Sequence, residues 1–460
     1  MMRSKKNITS FFDNSFDIKL DKKQIKIATS KKKNILVIAA AGSGKTITIA
    51  ARIKYLVEFL KVNPKDILCI SFTNDAVNNL KDKLKIKEVE VLTFHKLALK
   101  IISKKKEVLT EDMLTDIVLN SINNESLYAL FKMDKLSLSN LIVTFINLFK
   151  SNNYNLDDFY KMINKADYKE KLLLKEIMKC YICYESYLNK ENIIDFNDMI
   201  NLAIENVSYC KFKYKYIIID EYQDTSYTKF LLIKKLLEKN DASFFAVGDD
   251  FQSIYRFAGS DIKLFTNFRK YFPFAKIYKL NKTYRSPYVV VRLAGKFIMK
   301  NPYQIKKHLI CDINYENPIK LVYYDILNDK INEVINKDNL TNILILGRNN
   351  KDIKDIKIHK NINYRKLTVH KSKGLGEDFV FIISLNDSLN GFPNKYKDHK
   401  ILRYVNNYKT YFPYDEERRL FYVALTRCKK RVYLFIPKSN PSIFIKEILM
   451  MNKNIFIWEK

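Results

Sequence analysis

Residues 34–54 read NILVIAAAGSGKTITIAARIK and predict a buried strand, a glycine turn and an amphipathic helix in succession. The turn AAAGSGKT (39–46) has the features of a phosphate-binding loop, in which glycines let backbone N–H groups close around phosphate oxygens. Lys45 is predicted to reach the β- and γ-phosphates, and the Thr46 hydroxyl to bind Mg²⁺. Ala39 replaces the first glycine of the general pattern. The stretch favours a nucleotide-binding α/β domain.

A second apolar run, IIIDEYQDTS (217–226), ends in two adjacent carboxylates. Neighbouring like charges repel, so a cation is expected beside them. A strand that ends at Asp220 would bring a carboxylate to the metal held by Thr46, while Glu221 would polarise the water that attacks the γ-phosphate. An exposed turn is the alternative, but the apolar residues before the pair argue against it. Together the two stretches predict an ATP- and Mg²⁺-dependent hydrolase.

Length and charge set broader bounds. The chain has 460 residues, 47% of them hydrophobic, which is enough for about three domains with real cores. Its 81 Lys and Arg residues exceed its 50 Asp and Glu residues, for a net charge of +31. Such a surplus suggests a polyanionic partner, although frequent lysine in an AT-rich genome is an equally open explanation. Charge alone therefore does not decide between them.

The apolar stretches and the cysteines argue against a membrane-spanning protein, a disulfide-linked protein and a zinc-binding protein. No stretch approaches the roughly 18 apolar residues of a membrane span, and residues 1–17 lack a signal-peptide core, so a cytoplasmic protein without a membrane partner is expected. Six cysteines are scattered along the chain, as in proteins with reduced thiols. Cys180 and Cys183 form one CxxC, but the apolar segment around them favours a buried helix over a zinc site.

Further segments, in order along nearly the whole chain, resemble the motifs of the UvrD/Rep-like branch of superfamily 1A helicases. GFP (391–393) and NPSIFIKEIL (440–449) resemble its helicase IV-like members. The segments that resemble the family motifs are LDKKQIKIAT (20–29), AAAGSGKT (39–46), ISFTNDAVNNLKDKL (70–84), VLTFHKLA (91–98), IDFNDMI (194–200), IIIDEYQDTS (217–226), VGDDFQSIYRFAGS (247–260), KTYRS (282–286), LTVHKSKGLGEDFVFII (367–383) and EERRLFYVALTRCKKRVYL (416–434).

The resemblance implies roles at the nucleotide site. Gln252 would sense the γ-phosphate, and Arg285 and Arg427 would be arginine fingers supplied by a second core domain. Gln24 would contact the adenine edge, and Tyr284 would stack on the ring. The implied catalytic set is Lys45, Thr46, Asp220, Glu221, Gln252, Arg285 and Arg427. The implied nucleotide-binding set is Gln24, Ala41, Gly42, Ser43, Gly44, Lys45, Thr46 and Tyr284, with Thr46 and Asp220 on the metal.

The resemblance also implies a path for nucleic acid. Stacking platforms for bases are implied at Phe72, Tyr255 and Phe257, although a plain core role is an equal alternative for each of these rings. Backbone contacts are implied at Thr73, Asn74, Thr93, His95 and His370. Asp195 needs no role beyond capping a helix.

The chain departs from the family pattern at several motif positions. Phe257 and Ala258 replace the usual tryptophan and arginine, which weakens the expected stacking and removes a basic contact. Thr283 stands where asparagine is common. Gly376 replaces a glutamate near the ribose, and no ribose role is assigned to Glu377.

The family architecture implies two RecA-like α/β domains with parallel sheets around ATP, with a helical insertion. Domain 1A would comprise residues 1–95 and 211–276, insertion 1B residues 96–210, and domain 2A residues 277–460. The family's domain 2B should lie between Arg348 and Thr368, where the sequence leaves room only for a short turn or one hairpin.

The function implied is an ATP-dependent 3′–5′ single-stranded DNA translocase and DNA helicase in repair, recombination or replication. Its partners would be single-stranded or tailed duplex DNA and repair or replication proteins, on the nucleoid if the host is bacterial. One alternative is a translocase that displaces proteins without unwinding, which the missing 2B motivates. Another is a non-catalytic nucleic-acid-binding protein, which ATP turnover would exclude.

Overall fold

The computed structural model describes residues 2–103, 107–109, 111–122, 125–406, 412–451 and 457–459. The helices are α1 (Met2–Ser15), α2 (Lys22–Ala28), α3 (Lys45–Lys54), α4 (Asn74–Leu84), α5 (Phe94–Ile102), α6 (Glu111–Ser121), α7 (Ser126–Phe131), α8 (Lys135–Ser151), α9 (Leu156–Lys165), α10 (Tyr168–Glu191), α11 (Phe196–Asn206), α12 (Tyr227–Asn240), α13 (Lys263–Thr266), α14 (Phe268–Tyr271), α15 (Tyr288–Ile298), α16 (Leu327–Lys337), α17 (Asn350–Lys354), α18 (Asp415–Leu425) and α19 (Ile443–Met451). The strands are β1 (Asn34–Ala39), β2 (Ile67–Ser71), β3 (Glu90–Thr93), β4 (Glu107–Val108), β5 (Ile193–Ile194), β6 (Tyr216–Ile219), β7 (Ser243–Gly248), β8 (Lys276–Leu280), β9 (Lys282–Thr283), β10 (Ile310–Cys311), β11 (Ile319–Tyr324), β12 (Asn342–Gly347), β13 (Asn363–Thr368), β14 (Glu377–Ile382), β15 (Cys428–Pro437) and β16 (Ile457–Glu459).

The first large sheet is parallel, with six described strands in the order β3-β2-β6-β7-β1-β8. Its inner strands are apolar and buried nearly throughout because helices cover both faces. One face packs on α3 and α4, and the other on α5, α11 and α12. The carboxyl ends of β1, β6 and β7 therefore meet at one edge, where ligands bind in such sheets.

The second large sheet is also parallel, with the described order β13-β12-β14-β15-β11-β16. Helices α15, α18 and α19 cover one face, and α16 covers the other. The predicted fold class, α/β with parallel sheets and additional helices, is confirmed.

A third core consists of helices α6 to α10. Ile401, Leu402 and Val405 reach it from the segment between β14 and α18 of the second sheet's domain. The Arg403 guanidinium pairs with Glu170 at 2.7 Å, and Asn152 Nδ2 donates to the Val405 carbonyl at 2.9 Å. We call residues 394–406 the strap. It ties the helical layer to the second sheet's domain.

The structure differs from the predicted domain division in three details. The limit at 276/277 cuts β8, whose residues pair with β1 over Ile35–Ala39. Helices α5 and α11 pack on the first sheet because their apolar faces contact its strands, so the separate helical core is narrower than 96–210. Residues 348–368 form neither a turn nor a hairpin: they contain α17 and β13, which pairs in parallel with β12.

The membrane and metal predictions can be compared with the described residues. No described helix combines the length and the apolar character that crossing a bilayer requires. Cys180 is buried in α10 and Cys183 is exposed on it. The described part of the chain contains no group of three or more His, Cys, Asp or Glu side chains that could hold a metal.

Candidate nucleotide and nucleic-acid sites

The phosphate-binding loop joins the end of β1 to the start of α3. Gly42 and Gly44 have φ angles of +70° and +80°, which favour glycine. A Cβ on Gly44 would lie 2.6 Å from Gln24 Nε2, so a side chain there would displace the Gln24 amide. Ser43 Oγ is buried without a hydrogen-bond partner. A loop of this shape beside an orphaned hydroxyl fits a phosphate group.

Lys45 begins α3 and faces Glu221. Its Nζ lies 2.7 Å from Glu221 Oε1, and both side chains are mostly buried. Burial opposes the charge on Lys45, but Glu221, Asp249 and Asp220 overcome it and raise the Lys45 pKa. Burial likewise opposes the charge on Glu221, yet Lys45 and Lys373 hold the Glu221 pKa below its usual value. Both groups are therefore charged at neutral pH.

Asp220 immediately follows β6, and its Oδ1 accepts the Glu221 N–H at 2.9 Å. Burial and the neighbouring Glu221 carboxylate raise the Asp220 pKa, against the opposing charge of Lys45. Thr46 is half-buried in the first turn of α3. Asp220 is thus a buried carboxylate that a further nearby cation would stabilise. Its oxygens and the Thr46 hydroxyl are hard oxygen ligands of the kind that Mg²⁺ prefers.

Gln252 connects the two α/β cores. Its Nε2 donates to Asp249 Oδ2 at 2.6 Å, and its Oε1 accepts from Arg427 Nη2 at 3.2 Å. The Arg427 guanidinium is buried and also donates to the Val423 carbonyl at 2.9 Å and the Leu375 carbonyl at 3.2 Å. Burial and the nearby Arg285 lower the Arg427 pKa to about 9. A buried guanidinium whose pKa is lowered fits a site that receives an anion.

Arg285 lies directly against the phosphate-binding loop. A Cβ on Gly42 would lie 2.6 Å from Arg285 Cβ, and the Tyr284 N–H donates to the Gly42 carbonyl at 2.8 Å. Gly376 leaves room on the other side, since a Cβ there would lie 3.3 Å from Arg285 Nε. Burial lowers the Arg285 pKa, while Glu221 opposes that shift. The structure thus places Arg285 against the loop that contains Lys45, and Arg427 against Gln252.

Gln24 and Tyr284 lie on the other side of the loop. Asp21 caps α2 and forms a capping box with Gln24, whose Nε2 donates to the Ser43 carbonyl at 3.3 Å. The Tyr284 hydroxyl donates to Asp21 Oδ2 at 2.6 Å, and its ring is 46% exposed. An amide on the loop and an open aromatic ring are suited to the edge and face of a base. Ala41 lies within the loop, and its N–H donates to the Tyr422 hydroxyl at 3.4 Å.

The aromatic side chains predicted to stack on bases contact one another and form one connected group. Phe72 and Tyr255 stack on each other at 5.3 Å between ring centroids. Phe257 lies 6.0 Å from Tyr255 and 5.6 Å from His370, and it is 60% exposed. Because Phe72 and Tyr255 contact each other directly, Phe257 is the member of the group with the most open face.

The remaining predicted nucleic-acid residues divide into two sets. Thr73 and Thr93 cap α4 and α5 with their hydroxyls, and Asn74 is the first residue of α4. His95 packs edge-on against Phe196 at 5.2 Å and, with Phe257, lines a cavity of about 530 Å³ between the first core and the helical layer. Burial and nearby cations lower the pKa values of His95 and His370 to about 4, so both imidazoles are neutral. Asp195 caps α11, as predicted, and also pairs with Lys150 at 2.6 Å.

The sequence motifs contain two further residues of the candidate site to which no role was assigned. Gln223 donates to Glu221 Oε2 at 2.6 Å and accepts the Asp249 N–H at 2.9 Å. Lys373 pairs with Asp224 and donates to the Gln252 carbonyl at 2.7 Å. Both lie inside the quoted motifs, so their position was a usable signal. Lys307, in contrast, lies outside every motif.

The chain is similar to known proteins over most of its length. Residues 20–273 match the UvrD/REP helicase N-terminal domain, and residues 323–439 match the UvrD-like helicase C-terminal domain. DNA helicase IV of Escherichia coli (strain K12) is 28% identical over 93% of this chain and 69% of its own length. ATP-dependent DNA helicase Rep of Buchnera aphidicola subsp. Acyrthosiphon pisum is 32% identical over 62% of this chain and 46% of its own length. ATP-dependent DNA helicase PcrA of Bacillus subtilis (strain 168) is 30% identical over 63% of this chain and 40% of its own length. The chain thus spans under half of Rep and PcrA.

Proposed function

Because the chain belongs to the UvrD/REP helicase family, we propose that it is an ATP-dependent motor that moves 3′ to 5′ along single-stranded DNA and separates duplex strands. The relatives are named as DNA helicases or ATP-dependent DNA helicases. The observation that carries the proposal is the contact between Gln252 Oε1 and Arg427 Nη2 at 3.2 Å. Nucleotide chemistry on one core is thereby linked to a cation on the other.

The proposed chemistry assigns one task to each side chain. Lys45 leaves Glu221 to bind the β- and γ-phosphates of ATP, and the freed Glu221 carboxylate accepts a proton from the attacking water. Arg285 and Arg427 meet the charge that develops on the γ-phosphoryl group. Gln252 couples the phosphate to Arg427. Gln24 and Tyr284 hold the adenine.

Thr46 and Asp220 would hold Mg²⁺, which when bound neutralises charge on the phosphates. Ser43 Oγ supports nucleotide binding because a buried hydroxyl without a partner has donor capacity for a phosphate oxygen. In the state described, the Lys45–Glu221 ion pair occupies the groups that the reaction needs. Nucleotide binding would therefore rearrange this pair.

For movement we propose that ATP draws the two sheets' domains together and that hydrolysis and product release let them separate. The single strand would cross Phe72, Tyr255, Phe257 and His370, with Thr73, Asn74, Thr93 and His95 along the flanking path. We propose a division into domain 1A around the first sheet, a helical domain 1B and domain 2A around the second sheet. Repair or replication proteins would supply the loading site.

Nucleotide hydrolysis and strand separation test the proposal directly. Turnover of ATP is measured with and without single-stranded DNA, and displacement is followed on duplexes with a 3′ or a 5′ tail. We expect stimulation by single strands, a requirement for Mg²⁺, and displacement only from the 3′ tail. Absence of ATP turnover by the full chain would leave only a nucleic-acid-binding role. Displacement from the 5′ tail would reverse the direction.

A second candidate is a translocase that removes proteins from DNA without unwinding. It is supported by residues 348–368, which contain α17 and β13 of the second sheet's domain and leave no room for the domain 2B that the family resemblance implies. Translocation can be followed by removal of streptavidin from a biotinylated strand. Streptavidin removal together with no duplex separation at any protein excess would favour this candidate.

A further inference from the structure

A buried lysine outside the motifs lies beneath the phosphate-binding loop. Lys307 lies in the segment between α15 and β10, and its side chain has no exposed surface. Helix α15 packs in the core of the second sheet. The segment that contains Lys307 follows α15 of the second core. The lysine side chain reaches from there to the ends of β1 and β7 in the first sheet.

The Lys307 ammonium contacts three oxygen-bearing groups. It pairs with the Asp249 carboxylate, lies 2.6 Å from Asp250 Oδ1, and donates to the Ala39 carbonyl at 2.9 Å. Its Nζ also lies 3.9 Å from the centroid of the Phe251 ring. An ammonium has three donors. The Ala39 carbonyl and the Asp249 carboxylate accept two of them, and the Asp250 carboxylate lies at ion-pair distance.

These contacts join the two segments that carry the phosphate-binding groups. Ala39 is the last residue of β1, directly before the loop, whereas Asp249 directly follows β7. The other oxygen of Asp249 accepts from Gln252 Nε2 at 2.6 Å, and Gln252 in turn contacts Arg427. A displacement of Lys307 would therefore change the position of Asp249 and of the glutamine amide.

We propose that Lys307 is a positioning residue for nucleotide hydrolysis, which holds Asp249 against the end of β1 and so fixes the Gln252 amide between the phosphate-binding loop and Arg427. The inference rests on the proposed ATPase function. In this role Lys307 does not contact the nucleotide. Its effect reaches the reaction through Gln252.

A purely structural role predicts different behaviour. Burying a charged group is costly, and a well-packed apolar side chain often serves a core at least as well as a buried ion pair. We call Lys307, Asp249 and Asp250 the lysine cluster. If Lys307 only stabilised the fold, a variant that keeps the net charge and volume of this cluster would hydrolyse ATP normally once folded. The double substitution Lys307→Met with Asp250→Asn is such a variant, because it removes one positive and one negative charge and leaves Asp249 with Gln252.

The experiment compares the wild-type chain with this double variant in saturating single-stranded DNA. We expect kcat per folded molecule to fall by about tenfold or more, since small misplacements of active groups carry costs of this size. The KM for ATP should stay within about twofold, because Lys45 and the loop glycines are unchanged. Lys306→Met is the matched control: it makes the same change at the adjacent, exposed lysine and should leave kcat unaltered.

A second arm asks whether Lys307 acts through Gln252. In a Gln252→Ala background, the double substitution should lower kcat by less than about twofold, since residues that act as a unit are not additive. If the double variant does not fold, Lys307→Arg replaces it in both arms, because it keeps the charge but changes the donor geometry. The expected results are then the same.

The outcomes separate the two proposals. A wild-type chain without ATP turnover would contradict the proposed function itself. A folded double variant, or a folded Lys307→Arg, with wild-type kcat would overturn only the role of Lys307. An equal loss in the Gln252→Ala background would also overturn it, because Lys307 would then act by another route.

Discussion

The Lys45 ammonium lies 2.7 Å from Glu221 Oε1, so the lysine expected to bind phosphate is paired with the carboxylate expected to activate water. Gln223 holds the same carboxylate through its Nε2, 2.6 Å from Glu221 Oε2. Each group keeps the other charged. ATP must therefore compete with Glu221 for Lys45. Variants of the two residues should consequently differ in their effects on ATP binding and on ATP turnover.

Glu221→Gln should uncouple nucleotide binding from hydrolysis. Removing the negative charge frees Lys45, so ATP should bind more tightly by about 1.5–3 kcal/mol, the worth of a hydrogen bond to a charged group. Turnover should fall about 100-fold or more because the general base is lost. Equilibrium binding of a fluorescent ATP analogue and steady-state hydrolysis measure the two effects.

The controls for this change are Lys45→Ala and Glu205→Gln. Lys45→Ala should lose binding and turnover together, since it removes the phosphate contact itself. Glu205 is exposed on α11, and its amide variant should match the wild type. Robust turnover by Glu221→Gln would remove this carboxylate from the mechanism.

Phe257→Ala should weaken binding to single-stranded DNA without affecting the fold. The ring is 60% exposed beside Tyr255 and His370, and stacking on a base is worth about 1–3 kcal/mol. Its free energy of unfolding should change by less than about 0.5 kcal/mol. Fluorescence anisotropy with a labelled oligonucleotide measures the affinity, and Phe274→Ala, at a fully exposed ring outside the aromatic group, is the control. Equal affinities for both variants would exclude Phe257 as a platform.

The residues of the candidate nucleotide site were largely predictable because they belong to short, local patterns at strand ends. Lys45 and Asp220 follow apolar runs, and the carboxyl ends of parallel strands meet at one edge. The same reasoning could not find Lys307, since a buried lysine has no local pattern and its partners are distant in sequence. It also could not foresee that Phe72 and Tyr255 stack on each other.

Element boundaries were less predictable than the motifs. Strand β8 reads KIYKL, and only Leu280 is buried, so its pairing with β1 had little apolar signal. The apolar face of α5 predicts a helix, but which core it joins depends on contacts with α11 and the first sheet. Burial of Ile401 in the helical layer is likewise a long-range contact that the local sequence does not encode.

Ile401→Ala should destabilise the docking of the strap. Ile401 is fully buried among the helices of the third core, and deletion of such a side chain typically costs about 2–4 kcal/mol. Chemical denaturation followed by circular dichroism measures the free energy of unfolding. Tyr396, in the same strap, is 66% exposed, so Tyr396→Ala should change it by less than about 0.5 kcal/mol. Equal stability of the two variants would mean that the strap is not docked in solution.

Acidification from pH 6.5 towards pH 4 should destabilise the fold through His95 and His370. Burial and nearby cations lower both pKa values to about 4 in the folded chain, against about 6.5 when unfolded. In this window the unfolded chain binds protons that the folded chain does not, so stability is present above pH 6.5 and lost as pH falls. At pH 5 each imidazole should cost about 1–2 kcal/mol. Denaturation at pH 7 and pH 5 should therefore show a smaller loss in His95→Gln and His370→Gln than in the wild type, while the exposed His308→Gln retains the full loss. An unchanged loss in both variants would assign the acid sensitivity to other groups.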